Sequence, residues 1–531
     1  MTPLNLRPAL ARHLRQRCRA FRDGFRHNLA LIGPPGSGKT FQLHQVITQP
    51  PAGTTVLYCP LYRESCRTFL QRLRSVIVRA GLEAGPGPSE ELLLRQAQRT
   101  LPKTAAALRS IEPTLSRRAY SEALIRTLDT IPVLSKERGQ PCLFILDEFL
   151  FLEDLGLAHP FHELGKRVMT WPSVLFILSS SSPYRARTIL RERLQLLFGQ
   201  FELLTLEALE PRRVGAWVHQ ELRGLRRIRA VSPFLIWWLG SSPSYLTVIL
   251  KRLRELATLQ RVPEVTEALF LQSLWDVLGS PEGPLHQWCA SRTEPLTRIR
   301  GTRAMEALLQ IADGARTTTE IGRRIGRAGL PAALQVLIEQ DLAQRNGTCW
   351  VTPDPVLRCW LSTVLWAQHG PSPLDAGAVR RRLEQYLQSL WSHWMQWQQR
   401  SLPERVTDLL AQFADETVSL DRKTGRLPRF HRIESQPRAP GRDVYLIAEG
   451  DGRQWCCSVA EEPVTEQRVA AFETFCRAHH PKPARKVLIA MAGLEENATL
   501  LAKAANMWVW GAGELETLTG LYRSPHVNGD P

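Results

Sequence analysis

No apolar run in this chain reaches the roughly eighteen residues that a membrane span needs. The opening stretch, MTPLNLRPALARHLRQRCRAFRDGF, has basic residues but no compact apolar segment and no small-residue cleavage site. The expectation is a cytoplasmic protein without a membrane partner. C-x-x-C pairs are absent as well. The 10 cysteines are scattered, and several, such as Cys59, Cys142 and Cys359, sit in apolar runs. They read as reduced core thiols and speak against a disulfide or zinc framework. Lysine is scarce, and the net charge of +17 is nearly all arginine spread along the whole chain. A basic balance suits a polyanion such as nucleic acid. Arginine in place of lysine also follows from a GC-rich genome, so charge alone leaves both readings open. At 531 residues the chain exceeds one domain, and roughly three or four are expected.

What is present centres on Leu29–Val46, LALIGPPGSGKTFQLHQV. Leu29, Ala30, Leu31 and Ile32 read as a buried strand. Gly33-Pro34-Pro35-Gly36-Ser37-Gly38-Lys39-Thr40 fits G-x-x-x-x-G-K-[ST], and a helical pattern follows. Glycines let successive backbone N–H groups turn inward around phosphate oxygens, and the helix N-terminus adds its dipole. Lys39 is a point charge for the β- and γ-phosphates of ATP, and Thr40 can place its hydroxyl on Mg²⁺. Gly33 to Thr40, with the following Phe41, are the candidate nucleotide-binding residues.

Cys142–Leu146, CLFIL, is a second buried run and ends in Asp147-Glu148. A carboxylate at the end of such a strand suits the metal partner of a P-loop. Asp147 would hold Mg²⁺ together with Thr40, and Glu148 would orient or activate the attacking water. Lys39, Asp147 and Glu148 are therefore the candidate catalytic set. Val174–Leu178, VLFIL, is a further buried strand, ending in Ser179-Ser180-Ser181-Ser182. A polar residue there senses the γ-phosphate in this class of ATPase, with Ser179 or Ser180 as candidate. A plain serine-rich loop is the alternative. Arg185, Arg187, Arg191 and Arg193 follow on a helix, as an arginine finger or as a solvated face.

Apolar strands alternating with helices predict an α/β fold, a P-loop NTPase parallel sheet covered on both faces. Residues 1–210 are expected to form this core, opened by a lead-in helix. Helices are predicted over 65–83 and most of 89–138, with a loop near Glu112-Pro113. Residues 211–295 read as a helical lid. Residues 296–370 read as a winged helix: helix, short helix capped at Thr317, helix to Asp341, then a hairpin at Asn346-Gly347. Its third helix, PAALQVLIEQD, has no basic residue, whereas Arg323, Arg324 and Arg327 lie on the preceding helix and turn. DNA binding and inter-domain packing both stay open for it. Residues 371–426 are expected as a helical linker with a packing stripe of Trp391, Trp394 and Trp397. A proline- and arginine-rich stretch, Leu427–Arg442, leads into a small α/β domain within 427–531.

The order of parts resembles the archaeal-type ATPase branch of the AAA/STAND P-loop group. The resemblance rests on GPPGSGKT, ILDEF and the strand-end serines. Gly240–Leu246, GSSPSYL, is similar to that branch's Gly-x-Pro-x-Tyr-Leu signature, which implies Pro243 beside the adenine. Thr352–Trp360, TPDPVLRCW, resembles its DPvLRFW box. The C-terminal hairpin resembles the restriction-endonuclease-like domain that follows in the same family. Two departures matter. Gly199-Gln200 stands where the family carries Gly-Arg. Tyr445, Ser458 and Ala460 stand at the places of the nuclease Asp, Glu and Lys, with Asp443 nearby and Glu461 and Glu462 just beyond. A Tyr/Ser/Ala set supplies no metal-binding carboxylate, so the expected domain is inactive as a nuclease.

The expected function is an Mg²⁺-dependent ATPase acting as a conformational switch, coupled to double-stranded DNA. The alternative is a nucleotide-gated scaffold with little turnover that binds a protein partner or itself.

Overall fold

The computed structural model describes residues 5–85, 87–192, 201–206, 209–240, 242–298, 303–369, 375–420, 423–437, 444–450 and 452–522. The chain parts into two compact units, Met1–Val265 with Glu339–Asp341, and Thr266–Ile338 with Leu342–Pro531.

The first unit is built on a parallel sheet of β1 (Asn28–Ile32), β2 (Thr55–Pro60), β3 (Cys142–Asp147), β4 (Val174–Ser180) and β5 (Phe201–Thr205). Their order is β2-β3-β4-β1-β5, and every pairing is parallel. β1, β3 and β4 are buried at every residue, as strands covered on both faces must be. Side chains alternate between the faces. Leu29, Leu31, Leu143, Ile145, Leu175 and Ile177 form one core with Leu14, Cys18 and Phe21 of α1 (Pro8–Arg22) and Leu43 and Val46 of α2 (Lys39–Thr48). Phe144, Leu146, Phe176 and Leu178 form the other. They pack with Phe69, Leu73 and Ile77 of α3 (Cys66–Leu82) and with Leu124, Leu128 and Ile131 of α4 (Tyr120–Arg138). Instead of the loop expected at Glu112-Pro113, the chain makes a short helix, Glu112–Ser116. Pro113 sits in its first turn, where a missing N–H costs nothing.

After β4 comes α5 (Pro183–Glu192). Beyond the sheet follow α6 (Pro211–Glu221), α7 (Ile228–Leu239) and α8 (Pro243–Leu259). The division at residue 265 falls inside the 211–295 segment expected as one lid. Beyond it, Gln272 and Trp275 engage Arg380 of the second unit through a hydrogen bond and a cation–π contact.

The second unit contains α9 (Ala304–Ala312), α10 (Thr318–Ile325) and α11 (Leu330–Glu339). An antiparallel hairpin of β6 (Gln344–Asn346) and β7 (Cys349–Val351) follows. Thr317 starts α10 with a reciprocal capping box to Glu320. α12 (Ala376–Gln399) buries Leu383, Tyr386, Leu387, Leu390 and Trp394 along one stripe. Trp391 tilts against Trp394, and the Arg405 guanidinium stacks on Trp397 at 3.9 Å, so the tryptophans do serve packing. α13 (Leu402–Ala411) comes next.

Residues 371–426, expected to be helical, instead end in a hairpin of β8 (Glu416–Leu420) and β9 (Lys423–Leu427). Val418, Leu420 and Leu427 alternate inward onto Phe413, Trp455, Trp508 and Trp510, and this long-range burial selects strand over helix. The stretch 427–442 likewise yields a strand, β10 (Arg432–Pro437), on the edge of a second sheet, where proline and exposed arginine are tolerated. That sheet runs β10, β11 (Val444–Gly450), β12 (Arg453–Ala460), β13 (Arg485–Ala490) and β14 (Trp508–Trp510). Its first pairings, through β12, are antiparallel and the rest parallel. α14 (Glu466–Ala478), α15 (Glu496–Ala504) and α16 (Ala512–Tyr522) complete the unit.

Candidate nucleotide-binding site

The loop between β1 and α2 is shaped by residues whose backbones leave the usual regions. Gly36 (φ +74°) and Gly38 (φ +95°) are left-handed, a conformation costly for residues with a Cβ. Gly33 donates its N–H to the Ser180 carbonyl at 3.3 Å, and Ser37 donates to the Pro34 carbonyl at 3.2 Å. Lys39 is 4% exposed, and its Nζ reaches the carbonyls of Gly33 (2.9 Å) and Pro34 (3.1 Å). The lysine charge is thereby folded back under the loop whose N–H groups begin α2.

Across from the helix start lies Asp147, 4% exposed at the end of β3. Thr40 and Tyr58 both donate hydroxyls to its Oδ2 at 2.9 Å, and Ser179 donates to Oδ1. Burial first, then the Asp147 carboxylate, push the Tyr58 phenol far above its usual value, so it stays a neutral donor. Glu148 adopts φ +59°, a left-handed strain of the kind that clusters at functional sites. The Ser181 N–H donates to its Oε2 at 2.8 Å, and the Ser181 hydroxyl donates to Oε1.

Some of these groups border a cavity of about 580 Å³. Gly36, Ser37, Gly38, Lys39, Thr40, Phe41, Glu148 and Pro243 line it, as does Ser181. Gly33, Pro34, Pro35, Asp147 and Ser180 lie outside this lining. Neither of the two serines named from the sequence as candidate phosphate sensors lines the cavity: Ser179 donates to Asp147, and Ser180, fully buried, accepts the Ser182 N–H at 3.0 Å. One residue further on, where β4 has ended, Ser181 takes the position facing the cavity. Of the arginines on α5, Arg185 pairs with Glu153 at 2.5 Å, Arg187 reaches Thr205 at 3.4 Å and Arg191 pairs with Glu192 at 2.9 Å. None of these three lines the cavity. Arg193 and Gly199-Gln200 lie outside the described residues.

Several lining residues went unread in the sequence. Arg7 and Leu6 enter from the segment before α1, while Leu209 and Trp217 supply apolar surface. Asn5 ties that segment down by accepting from Gln42 Nε2 at 3.0 Å. Thr247 and Arg254 of α8 also face the cavity with Pro243, and their spacing along one helix face was the available signal. Arg7 and the α6 residues carried no local signal. Ser244, beside Pro243, rests on the loop: its N–H points to the Gly36 carbonyl at 3.4 Å.

The donor chemistry at Thr40 and Asp147 suits Mg²⁺, which takes oxygen ligands and keeps sites for water and phosphate. Among the described residues no group of three or more His, Cys, Asp or Glu gathers to hold a metal alone. In the second unit Tyr445 lies opposite Ser458 in the β11–β12 register, and both are buried. The Tyr445 ring packs on Phe472 and Phe475. Ala460 is buried at the end of β12, and Glu462 pairs with Arg468 at 3.0 Å. Asp443 lies outside the described residues.

No protein-family model matches this chain, and no curated protein matches it. Among solved structures, it is similar to a Walker-type ATPase of Pyrococcus abyssi at 15% identity and TM-score 0.45, over 67% of this chain and 95% of that one. It is also similar to the ORC2 protein of Aeropyrum pernix with ADPNP and ADP, at 17% identity and TM-score 0.42, over 74% and 96%. The Aeropyrum pernix ORC1 protein in complex with DNA follows at 13% identity and TM-score 0.38, over 72% and 93%. Among the described residues no helix is long and apolar enough to cross a membrane.

Proposed function

We propose that the first unit is an Mg²⁺-dependent ATPase that acts as a conformational switch coupled to double-stranded DNA. One observation supports it above the rest: the start of α2, with Lys39 and Thr40, meets Asp147 at hydrogen-bond distance, and Glu148 borders the same cavity. Loop N–H groups and Lys39 receive the phosphates. Thr40 and Asp147 would hold Mg²⁺, which supplies charge neutralisation at the phosphates. Glu148, set by Ser181, orients the attacking water. Pro243, Leu209 and Trp217 offer the apolar wall that a base requires. Because Ser244 sits on Gly36, a change in phosphate occupancy is felt directly by α8.

In the second unit, α9 to α11 and the β6–β7 hairpin have the element order of a winged helix, and we read them as the DNA-facing part. The endonuclease-like reading of the C-terminal sheet is kept as a scaffold without nuclease activity. A second reading, a nucleotide-gated scaffold with little turnover, is favoured by the tethering of both Glu148 oxygens to Ser181. The test is steady-state ATP hydrolysis with and without duplex DNA, beside Lys39→Ala and Glu148→Gln. The switch requires turnover that rises with duplex and is lost in both variants, with ATP binding kept in Glu148→Gln. Tight ATP binding without turnover in the unaltered protein supports the scaffold.

A further inference from the structure

The tip of the β6–β7 hairpin is the part that a winged helix presents to DNA as its wing. Here it is already occupied. The Thr348 N–H donates to the Thr417 carbonyl of β8 at 2.8 Å, and the Thr417 N–H donates to Thr348 Oγ1 at 2.9 Å. The Ser419 N–H donates to Asn346 Oδ1 at 2.7 Å. Gly347, left-handed at φ +62°, approaches so closely that an added Cβ would lie 2.0 Å from the Thr417 carbonyl oxygen. Arg345, the cation of the hairpin, is turned onto its own turn: Nε donates to the Gly347 carbonyl at 2.8 Å, and the guanidinium lies over Trp350.

Behind the tip the two parts share a core. Cys349 is fully buried among Phe413, Val418 and Tyr522. Glu416, 2% exposed, accepts from the Tyr522 hydroxyl at 3.0 Å and from the Ala414 N–H at 2.7 Å. Arg316, which precedes α10, approaches Glu416 at 3.6 Å and stacks over the Tyr522 ring at 4.5 Å. Separating the three-helix module and its hairpin from β8 and α16 would take Arg316 from a buried carboxylate and expose the apolar surface around Cys349, so the contact has the character of a folded core.

We infer that the β6–β7 hairpin is an internal clasp that joins the three-helix module, through β8, to the core of the C-terminal part as one cooperative body. Double-stranded DNA is met instead by the exposed face of α10 and the turn after it, through Arg323 and Arg327. The clasp stands on the contacts above, whereas the DNA face rests on the reading under Proposed function. Hydrogen exchange and duplex binding, both on the full chain, separate the two.

The backbone amides of Thr348, Thr417 and Ser419 are expected to exchange as slowly as those in the centre of β11 and β12. Thr348→Val keeps the side-chain shape and removes the hydroxyl. It should speed exchange at Thr417 about tenfold relative to the core amides. Fast exchange at Thr348, Thr417 and Ser419 in the unaltered protein would overturn the clasp. For DNA, anisotropy of a labelled random-sequence duplex at low salt is the readout. Arg323→Ala with Arg327→Ala should weaken binding about tenfold, whereas Arg345→Ala should change it less than about twofold. A loss with Arg345→Ala matching that of the pair would return the hairpin to the role of a DNA wing. Absence of any duplex binding would overturn the DNA face and the DNA coupling alike, and leave the clasp to be judged by exchange.

Discussion

Replacing Gly36 by alanine tests whether α8 is seated on the phosphate loop. Gly36 has φ +74°, and an added Cβ would lie 2.0 Å from Ser244 Oγ and 3.1 Å from both Ser242 Oγ and Ser244 Cβ. The left-handed backbone alone costs an alanine about 1 kcal/mol or a little more. Forcing the Ser244 hydroxyl aside adds about 1–3 kcal/mol, as overpacking does in a filled site. Gly36→Ala should therefore lower stability by about 2–4 kcal/mol in urea unfolding, followed by a probe of the first unit. Ser244→Ala alone removes only the contact to Ser242 Oγ at 3.3 Å and should cost under about 1 kcal/mol. In the double variant the nearest clash is gone and the backbone strain remains. It should recover about 1–2 kcal/mol relative to the sum of the single changes. Additivity within about 0.5 kcal/mol would show that α8 does not rest on the loop. The physical link from phosphate to lid would then be lost.

Further expectations follow from particular contacts. Tyr58→Phe removes one donor from Asp147 and leaves Thr40 and Ser179; stability should fall by about 1 kcal/mol and the Mg²⁺ midpoint of hydrolysis should rise about tenfold. An unchanged midpoint would remove Tyr58 from the metal-orienting set. Hydrogen bonds from Arg167 and then Lys166 hold the Glu163 carboxyl below its ordinary 4.5. Its stabilisation is complete above that value and is lost as pH falls through the lowered one, so acid unfolding should draw on it below about pH 4.5. Arg167→Ala should cost about 1–3 kcal/mol at neutral pH and flatten this part of the acid limb; an unaltered limb would refute the assignment. Thr317→Ala should lower stability of the second unit by about 1 kcal/mol, with Thr317→Ser restoring most of it in thermal unfolding.

The residues legible in advance were those whose roles are local. The strand, loop and helix around Lys39 lie within one short stretch, and the carboxylates at Asp147-Glu148 follow directly on a fully apolar strand. Helix α10 was legible for the same reason, with Thr317 capping its start and Glu320 in its first turn. The hairpin β8–β9 was not. Its Lys, Thr, Gly and Arg residues carry weak preferences, and its apolar members become a core only when Trp508 and Trp510 arrive from far along the chain. Tyr58 is an ordinary strand aromatic until β2 is laid beside β3 in parallel register, which places Tyr58 level with Ile145 and its hydroxyl within reach of Asp147.

By itself, then, the sequence picked out the residues that we propose receive phosphate and metal, because glycine freedom, a helix N-terminus and a strand-end carboxylate are properties of neighbours in the chain. Tertiary structure decided which of four consecutive serines meets which carboxylate, since that depends on where β4 ends against β3. It also decided that Ser244 closes on Gly36, and that the hairpin at Gly347 closes on Thr417. Those choices are made by packing between segments far apart in the chain, and no local pattern of residues encodes a distance across a core.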